Sequence, residues 1–141
     1  MRVELIVAAS SIMIIDQLSK KAVMHRGREM PTFSKGSMVR IRYIANAPKN
    51  FWLGRNRFAL LLLWICVVLS ITLLIYFGPF YQSRFAQVGI GVALGGATSN
   101  LCDILWRRAI VDFIGIGFWP VFNVADMAIV SGVVVALWFA G

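Results

Sequence analysis

Four long apolar stretches constrain the fold of this chain more than any other feature. They cover about residues 3–24, 58–80, 85–105 and 121–140. A helix needs about 20 predominantly apolar residues to span a bilayer, and each stretch is about that long. We therefore predict an all-α membrane protein with four transmembrane helices, built as a single integral-membrane domain over residues 1–141.

The overall composition favours a membrane setting and argues against a nucleic-acid-binding domain. Hydrophobic residues make up 60% of the chain, only 14% of the residues are charged, and the mean hydropathy is +0.79. The net charge of +8 would suit nucleic acid in a soluble protein, but here the basic residues mostly lie between the apolar stretches. No basic helix or nucleic-acid motif accompanies them. We expect anionic membrane lipids, and no nucleic acid, as their partners.

The residues that commonly bind metals are too scattered to predict a metal site. Cys66 and Cys102 both lie inside apolar stretches, with no second cysteine or histidine at ligand spacing. They are expected to be small buried hydrophobic side chains. His25 lies beside two arginines and is expected to be solvated. The sequence thus predicts neither a metal nor a cofactor.

The only long connection, residues 25–57, has a pattern of its own. Val39, Ile41 and Tyr43 alternate with Arg40 and Arg42. Alternation with a period of two predicts a short amphipathic strand or hairpin, lying here at the membrane surface. An irregular basic loop is the alternative.

The few polar residues of the apolar stretches fall near one end of the predicted bundle. They are Asp16 and Lys20 in the first stretch, Asn100 and Asp103 in the third, Asp112 in the connection that follows, and Asn123 with Asp126 at the start of the fourth. Four separate pieces of chain therefore bring polar groups to one depth. Ionisable groups within a membrane are costly, and they indicate a functional site by default.

Several of these residues also have a purely structural interpretation. Asp16 and Lys20, four residues apart on a helix, would form a neutralising ion pair. Asp103 could pair with Arg107 at the same spacing. The asparagines of the third and fourth stretches are residues that commonly hydrogen-bond between membrane helices.

Asp112 and Asp126 are the candidate catalytic pair. They lie fourteen residues apart, and almost all of their neighbours in sequence are apolar. If the two side chains meet, they must share a proton, because like charges at close range cannot both ionise. Such a pair can activate water.

Four motifs carry a resemblance to a known family. They are Asp16-Gln17-Leu18-Ser19-Lys20, the run from Gly95 to Asp103, Val111-Asp112-Phe113-Ile114, and Phe122-Asn123-Val124-Ala125-Asp126. Their order and the four-helix plan resemble signal peptidase II, the lipoprotein signal peptidase, an aspartic protease of the bacterial inner membrane. The resemblance implies removal of signal peptides just before a diacylglyceryl-modified cysteine. It also implies that Asp112 and Asp126 are the catalytic residues, with Asp16, Lys20, Asn100 and Asn123 supporting them.

Two positions depart from the pattern of that family. Residues 46–51 keep Asn46, a substrate-binding position by the resemblance, but lose the family's small residues. Ile104 stands where the family has an arginine, and Arg107 or Arg108 could replace that arginine in space. An alternative function is therefore a catalytically inactive or repurposed relative, acting as a structural or lipid-binding subunit of a larger membrane protein complex. A proton-coupled transporter is a third hypothesis, but four short helices without an inverted repeat argue against it.

The two indicators of membrane orientation disagree. Ten basic residues flank the first and third connections, which by the positive-inside rule places those connections in the cytoplasm and both termini outside. The resemblance implies the opposite arrangement, with both termini cytoplasmic and the active face periplasmic or extracellular. We follow the resemblance, because several motifs in the right order outweigh a statistical bias.

Overall fold

The computed structural model describes residues 3–26, 39–46, 57–77 and 83–140. In chain order the elements are α1 (Val3–Arg26), β1 (Val39–Asn46), α2 (Arg57–Phe77), α3 (Arg84–Arg107), β2 (Ile110–Ile116) and α4 (Val124–Trp138). Each helix lies within one of the four predicted stretches or extends it by a few residues. By length and hydropathy, α3 is the one helix in the described ranges that could cross a membrane. That all four helices span the bilayer remains a prediction.

Helix α3 packs between α1 and α4, and its glycines make this close approach possible. Gly91 and Gly95 lie one turn apart and touch the backbone of α1 at Leu5 and Ala9. A Cβ atom at either glycine would collide with a backbone carbonyl oxygen of α1. Small residues at this spacing allow membrane helices to pack without a hydrophobic driving force between them.

The opposite face of α3 contacts α4 in the same manner. Gly89 and Gly96, two turns apart, lie against the backbone of α4 at Ala136 and Ala125. On α4, Gly132 packs in return onto the carbonyl oxygen of Gly89. The three helices therefore meet along glycine surfaces, and this holds the polar end of each helix at a common level.

A two-stranded sheet covers that polar end. The predicted strand in the first connection is confirmed as β1, which pairs in antiparallel fashion with β2 and places Ile44 opposite Asp112. The sequence predicts only a connection over residues 110–116, and the structure shows that these residues form β2. The register of the pair shifts between Ile41 and Ile44. The rest of the first connection lies outside the described residues.

After β2 the chain turns back on itself and delivers the start of α4 to the same place. The carbonyl oxygen of Phe122 accepts from the backbone N–H of Phe113 at 3.1 Å and of Ile114 at 2.8 Å. The N–H of Phe122 donates to the carbonyl oxygen of Ile114 at 3.0 Å. Asn123 and the first turn of α4 are thereby placed beside the middle of β2.

The distribution of polarity is inverted relative to a soluble domain. Many large apolar side chains of the helices are exposed, among them Ile14, Leu69, Val130 and Leu137. The largest fully buried side chains are mostly polar and include Lys20, Gln87, Asn123, Asp16 and Asp103. An apolar exterior around a polar interior is the arrangement that a lipid environment favours.

We predict that Gly95→Ala destabilises the protein by about 1–3 kcal/mol, the usual cost of overpacking, because the new Cβ meets the rigid backbone of Ala9. A loss of stability would be specific to this helix contact, since Gly→Ala inside an exposed helix normally raises the free energy of unfolding by up to about 1 kcal/mol. Thermal unfolding in detergent micelles measures the change. Val134→Ala, at an exposed position of α4, is the control and should leave the melting temperature nearly unchanged. An unchanged or raised melting temperature for Gly95→Ala would contradict this account of the helix contact.

Candidate active site

A buried lysine lies at the centre of the polar cluster. The Nζ atom of Lys20 lies 2.6 Å from Asp16 Oδ2, 2.7 Å from Asp103 Oδ2 and 2.8 Å from Asn100 Oδ1. The side chains of the lysine and of both aspartates are fully buried. An ammonium group has three N–H donors, and all three have an acceptor here. A buried charge is tolerated only when it is paired and hydrogen-bonded in this way.

The ionic part of the cluster is electrically balanced. Arg107 forms an ion pair with Asp103 and donates to Gln17 Oε1 at 2.9 Å. The carboxylates of Asp16 and Asp103 are thus matched by the cations of Lys20 and Arg107. Both ion pairs that the sequence predicted, Asp16 with Lys20 and Asp103 with Arg107, are confirmed.

Two further polar residues, Gln17 and Ser99, belong to the cluster and were not among the candidates predicted from the sequence. The Nε2 of Gln17 donates to Asp103 Oδ1 at 3.0 Å and to Ser99 Oγ at 2.8 Å. Ser99 in turn donates to Asp16 Oδ2 at 2.7 Å. Both residues stand inside the motifs quoted above, and a polar residue within an apolar stretch was the signal that could have identified them.

The cluster also joins the helices to the neighbouring elements. The backbone N–H of Ala125, in the first turn of α4, donates to Asp16 Oδ1 at 2.9 Å. The backbone N–H of Val111, in β2, donates to Asp103 Oδ2 at 3.3 Å. Carboxylates of α1 and α3 therefore bind the start of α4 and the start of β2, the two places that carry the candidate catalytic residues.

Helix α4 begins with a capping box that includes one of these candidates. Asn123 Oδ1 accepts from the backbone N–H of Asp126 at 2.9 Å, and Asp126 Oδ2 accepts from the backbone N–H of Asn123 at 3.1 Å. This reciprocal pair satisfies two N–H groups that the helix itself leaves without partners. It also places the Asp126 carboxylate at the positive end of the helix dipole, which favours negative charge.

Two asparagine amides connect the candidate aspartates. Asn123 Nδ2 donates to Asp112 Oδ1 at 2.8 Å, and Asn100 Nδ2 donates to Asp126 Oδ1 at 2.8 Å. The amides also touch each other, with Asn123 Nδ2 lying 3.2 Å from Asn100 Oδ1. Asp112 is buried and Asp126 is partly exposed. The predicted convergence of Asp112, Asn123, Asn100, Asp126 and Lys20 is thus present in the structure.

The remaining predicted residues lie at the edge of this site. Asn46 pairs with Ile110 at the end of the sheet, and its side chain lies outside the described part of the structure. Ile104 is half-buried on α3. Arg107 is engaged by Asp103 and Gln17 and lies in the charged cluster. In the described ranges, no group of three or more His, Cys, Asp or Glu side chains is placed to hold a metal ion.

An apolar cavity opens next to Asp126. Its volume is about 710 Å³. The walls come from the turn after β2 and from the outer face of α4, and they include Ile116, Trp119, Phe122, Met127 and Val130. Among the described residues of the lining Asp126 is the only acidic one, so an apolar molecule in this cavity would lie directly against a candidate catalytic carboxylate.

Comparison with known proteins identifies the family to which the chain is similar. A profile of the family described as "Signal peptidase (SPase) II" matches residues 8–140. The lipoprotein signal peptidase of Moorella thermoacetica is 33% identical over 131 residues, which cover 90% of this chain and 85% of that protein. The corresponding enzyme of Pelotomaculum thermopropionicum is 31% identical over 137 residues, covering 95% and 89%.

Two solved structures described as bacterial membrane enzymes share the fold. One has a TM-score of 0.76 at 23% identity and covers 95% of this chain and 85% of its own. The other has a TM-score of 0.76 at 22% identity and covers 95% and 90%. Since the family profile spans nearly the whole sequence and several relatives exceed 30% identity, this chain is a membrane protein that belongs to the signal peptidase II family.

Proposed function

We propose that the chain is an intramembrane aspartic endopeptidase that removes the signal peptide from lipid-modified prolipoproteins. The observation that carries the proposal is the chain of hydrogen bonds that links Asp112 to Asp126 through the amides of Asn123 and Asn100, beside an apolar cavity. Membership of the signal peptidase II family supports the reaction and the class of substrate.

In the proposed reaction the two carboxyl groups share one proton and activate a water molecule. The ionised carboxylate takes a proton from the water, whose oxygen bonds to the carbonyl carbon of the scissile peptide. The protonated carboxyl donates its proton to the carbonyl oxygen, and a tetrahedral diol forms. When the C–N bond breaks, the amine nitrogen receives the proton taken from water, and the diol returns a proton to the other carboxyl. The protein forms no covalent intermediate.

The surroundings of the pair favour a single shared proton. Asp112 is buried, and low dielectric strengthens the repulsion between two carboxylates. The nearby charged cluster is already neutral, so it supplies no spare cation to hold both aspartates ionised. Donors from Asn100 and Asn123 stabilise one negative charge across the pair. The two apparent pKa values of such a pair belong to both residues together.

The apolar cavity supports a substrate whose segment near the scissile bond is hydrophobic. Its lining of aromatic and aliphatic side chains would favour an apolar part of a lipid-modified precursor over a polar peptide. Exposed basic side chains at the same end of the helices, Lys21, Arg26 and Arg108, would attract anionic lipid headgroups. We place the protein in the bacterial inner membrane, with both termini cytoplasmic and Asp112 and Asp126 on the periplasmic or extracellular side.

We predict that Asp112→Asn and Asp126→Asn each abolish cleavage of a diacylglyceryl-modified precursor, because a neutral amide can neither accept the proton of water nor share one. The loss should exceed about 1,000-fold, as expected when a general acid or base is removed together with its partner's function. Release of the signal peptide by purified protein in detergent, followed by gel electrophoresis, measures it. Glu4→Gln, at the opposite end of α1, is the matched control and should retain full activity.

Full activity in either aspartate variant would exclude the pair as the catalytic centre. Absence of cleavage by the wild-type protein, together with stoichiometric co-purification with larger membrane proteins, would favour the alternative function. In that case the chain would be a structural or lipid-binding subunit of a membrane protein complex. Ile104 and the altered residues 46–51 are the features that motivate this alternative.

We also predict that a precursor without the diacylglyceryl group is cleaved much more slowly than the modified one. The apolar cavity beside Asp126 would lose the contacts that bring the scissile bond to the carboxylates. Parallel time courses with modified and unmodified forms of one precursor measure the ratio, which we expect to be at least about tenfold, or about 1.4 kcal/mol. Equal rates for the two forms would show that the lipid does not contribute to recognition.

A further inference from the structure

We propose that residues 116–119 (the aromatic turn) insert into the interface of the lipid bilayer and border a lateral entrance to the cavity beside Asp126. The partner of this surface is a bilayer that contains anionic headgroups. The insertion does not depend on catalysis. The use of the entrance by a lipid-modified precursor rests on the proposed function and deepens it, because it states how that substrate reaches Asp126.

The aromatic turn is tight and projects away from the rest of the protein. The backbone N–H of Trp119 donates to the carbonyl oxygen of Ile116 at 2.9 Å, which closes the turn. Gly117 has a φ of 53°, a left-handed conformation that glycine adopts without steric cost. A Cβ atom at Gly117 would meet nothing within 4 Å, so the turn borders open space on that side.

The side chains that the turn presents are aromatic and exposed. Phe118 is 95% exposed and Trp119 is 65% exposed. Trp106, in the last turn of α3 at the same end of the bundle, is 72% exposed. Exposed apolar patches mark sites of contact with proteins or membranes, and tryptophan rings are enriched at the membrane interface. Phe118 has no polar atom in its side chain, so it would gain the most from contact with lipid.

The position of the turn relative to α4 indicates that its neighbour is lipid. The walls of the cavity next to Asp126 include Trp119 of the turn and both Met127 and Val130 of α4. Met127 and Val130 are also exposed, so they belong to the apolar outer face of that helix. In a membrane protein such a face is covered by acyl chains. The aromatic turn therefore lies across the cavity from a surface that faces lipid.

The charges at this end of the molecule complement a lipid surface. Within the described ranges, the exposed charged side chains here are Lys21, Arg26 and Arg108, and all three are basic. Asp16 and Asp103, which lie at the same end, are buried in ion pairs. An apolar surface flanked by basic side chains suits a bilayer, because the apolar groups enter the acyl boundary while the cations remain among anionic headgroups.

The entrance follows from the residue that the turn shares with the cavity. Trp119 is both exposed and part of the lining, so it lies at the mouth of the cavity. With the aromatic turn in the lipid interface, the mouth between Trp119 and Val130 opens toward the acyl chains of the bilayer. A lipid-modified segment then reaches Asp126 by moving sideways within the membrane, and its apolar groups do not have to cross water.

The first experiment measures the depth of the aromatic turn and needs no activity. Phe118→Cys carries a nitroxide spin label in a background of Cys66→Ala and Cys102→Ala, which removes the free cysteines. The protein is reconstituted in vesicles of phosphatidylcholine and phosphatidylglycerol. We expect the label to collide more often with oxygen, which concentrates in lipid, than with a water-soluble nickel chelate.

A label introduced by Val134→Cys, on the exposed face of α4, is the lipid reference for this measurement. It should show the same preference for oxygen. A label at position 118 that collides mainly with the nickel chelate, while the label at position 134 collides mainly with oxygen, would place the turn in water. That result would overturn the proposal.

The second experiment tests the entrance with Phe118→Ala and Val134→Ala, which truncate two exposed apolar side chains. Cleavage is measured in the same vesicles at several mole fractions of diacylglyceryl-modified precursor. Phe118→Ala weakens insertion and so hinders entry without touching the chemistry. We expect the apparent KM to rise about tenfold with kcat unchanged, the lower end of what a phenylalanine side chain contributes on leaving water. Val134→Ala should change neither constant.

The outcomes separate insertion, entry and catalysis. An unchanged KM for Phe118→Ala, or an equal rise for Val134→Ala, would refute the entrance and leave the turn a membrane anchor. A fall in kcat with KM unchanged would also contradict the entrance. If the wild-type protein cleaves no precursor, the proposed function fails and the role in precursor entry falls with it. The collision measurement then still decides whether the turn inserts.

Discussion

The ammonium group of Lys20, held between Asp16 and Asp103, is the interaction on which the polar end of the bundle depends. Both carboxylates are fully buried and carry hydrogen bonds to the start of α4 and to β2. Without a cation between them, like charges in a medium of low dielectric would repel and the three helix ends would separate. Because the ammonium has three donors, it also reaches Asn100 and so connects the ionic cluster with the candidate active site.

The site divides into a charged cluster whose ion pairs balance and, beside it, the pair of candidate catalytic aspartates. The ion pairs around Lys20 and Arg107 cancel their charges, whereas Asp112 and Asp126 are held by amide and backbone donors. Hydrogen bonds from amides fix the position of a carboxyl group without supplying a full positive charge. The buried cluster beside them supports the position of the two aspartates.

Whether a contact of the site could be predicted depended on how far apart its two residues lie in the sequence. Asp16 with Lys20 and Asp103 with Arg107 were predictable because residues four apart on a helix are neighbours whatever the rest of the fold does. The strand β2 was not predictable, because its apolar residues continue a hydrophobic sequence and only pairing with β1 makes them a strand. Gln17 was missed because its partners are contributed by another helix.

The sequence by itself determined the four apolar helices, the level at which their polar residues lie, and the family to which the chain belongs. These properties follow from hydropathy and local spacing, which act within one stretch of chain. Only the tertiary structure decided which amide faces which carboxylate, because that choice depends on Lys20 from α1 meeting Asn100 from α3. The different surroundings of Asp112 and Asp126 arise from those contacts between distant segments, since in sequence both are aspartates among apolar neighbours.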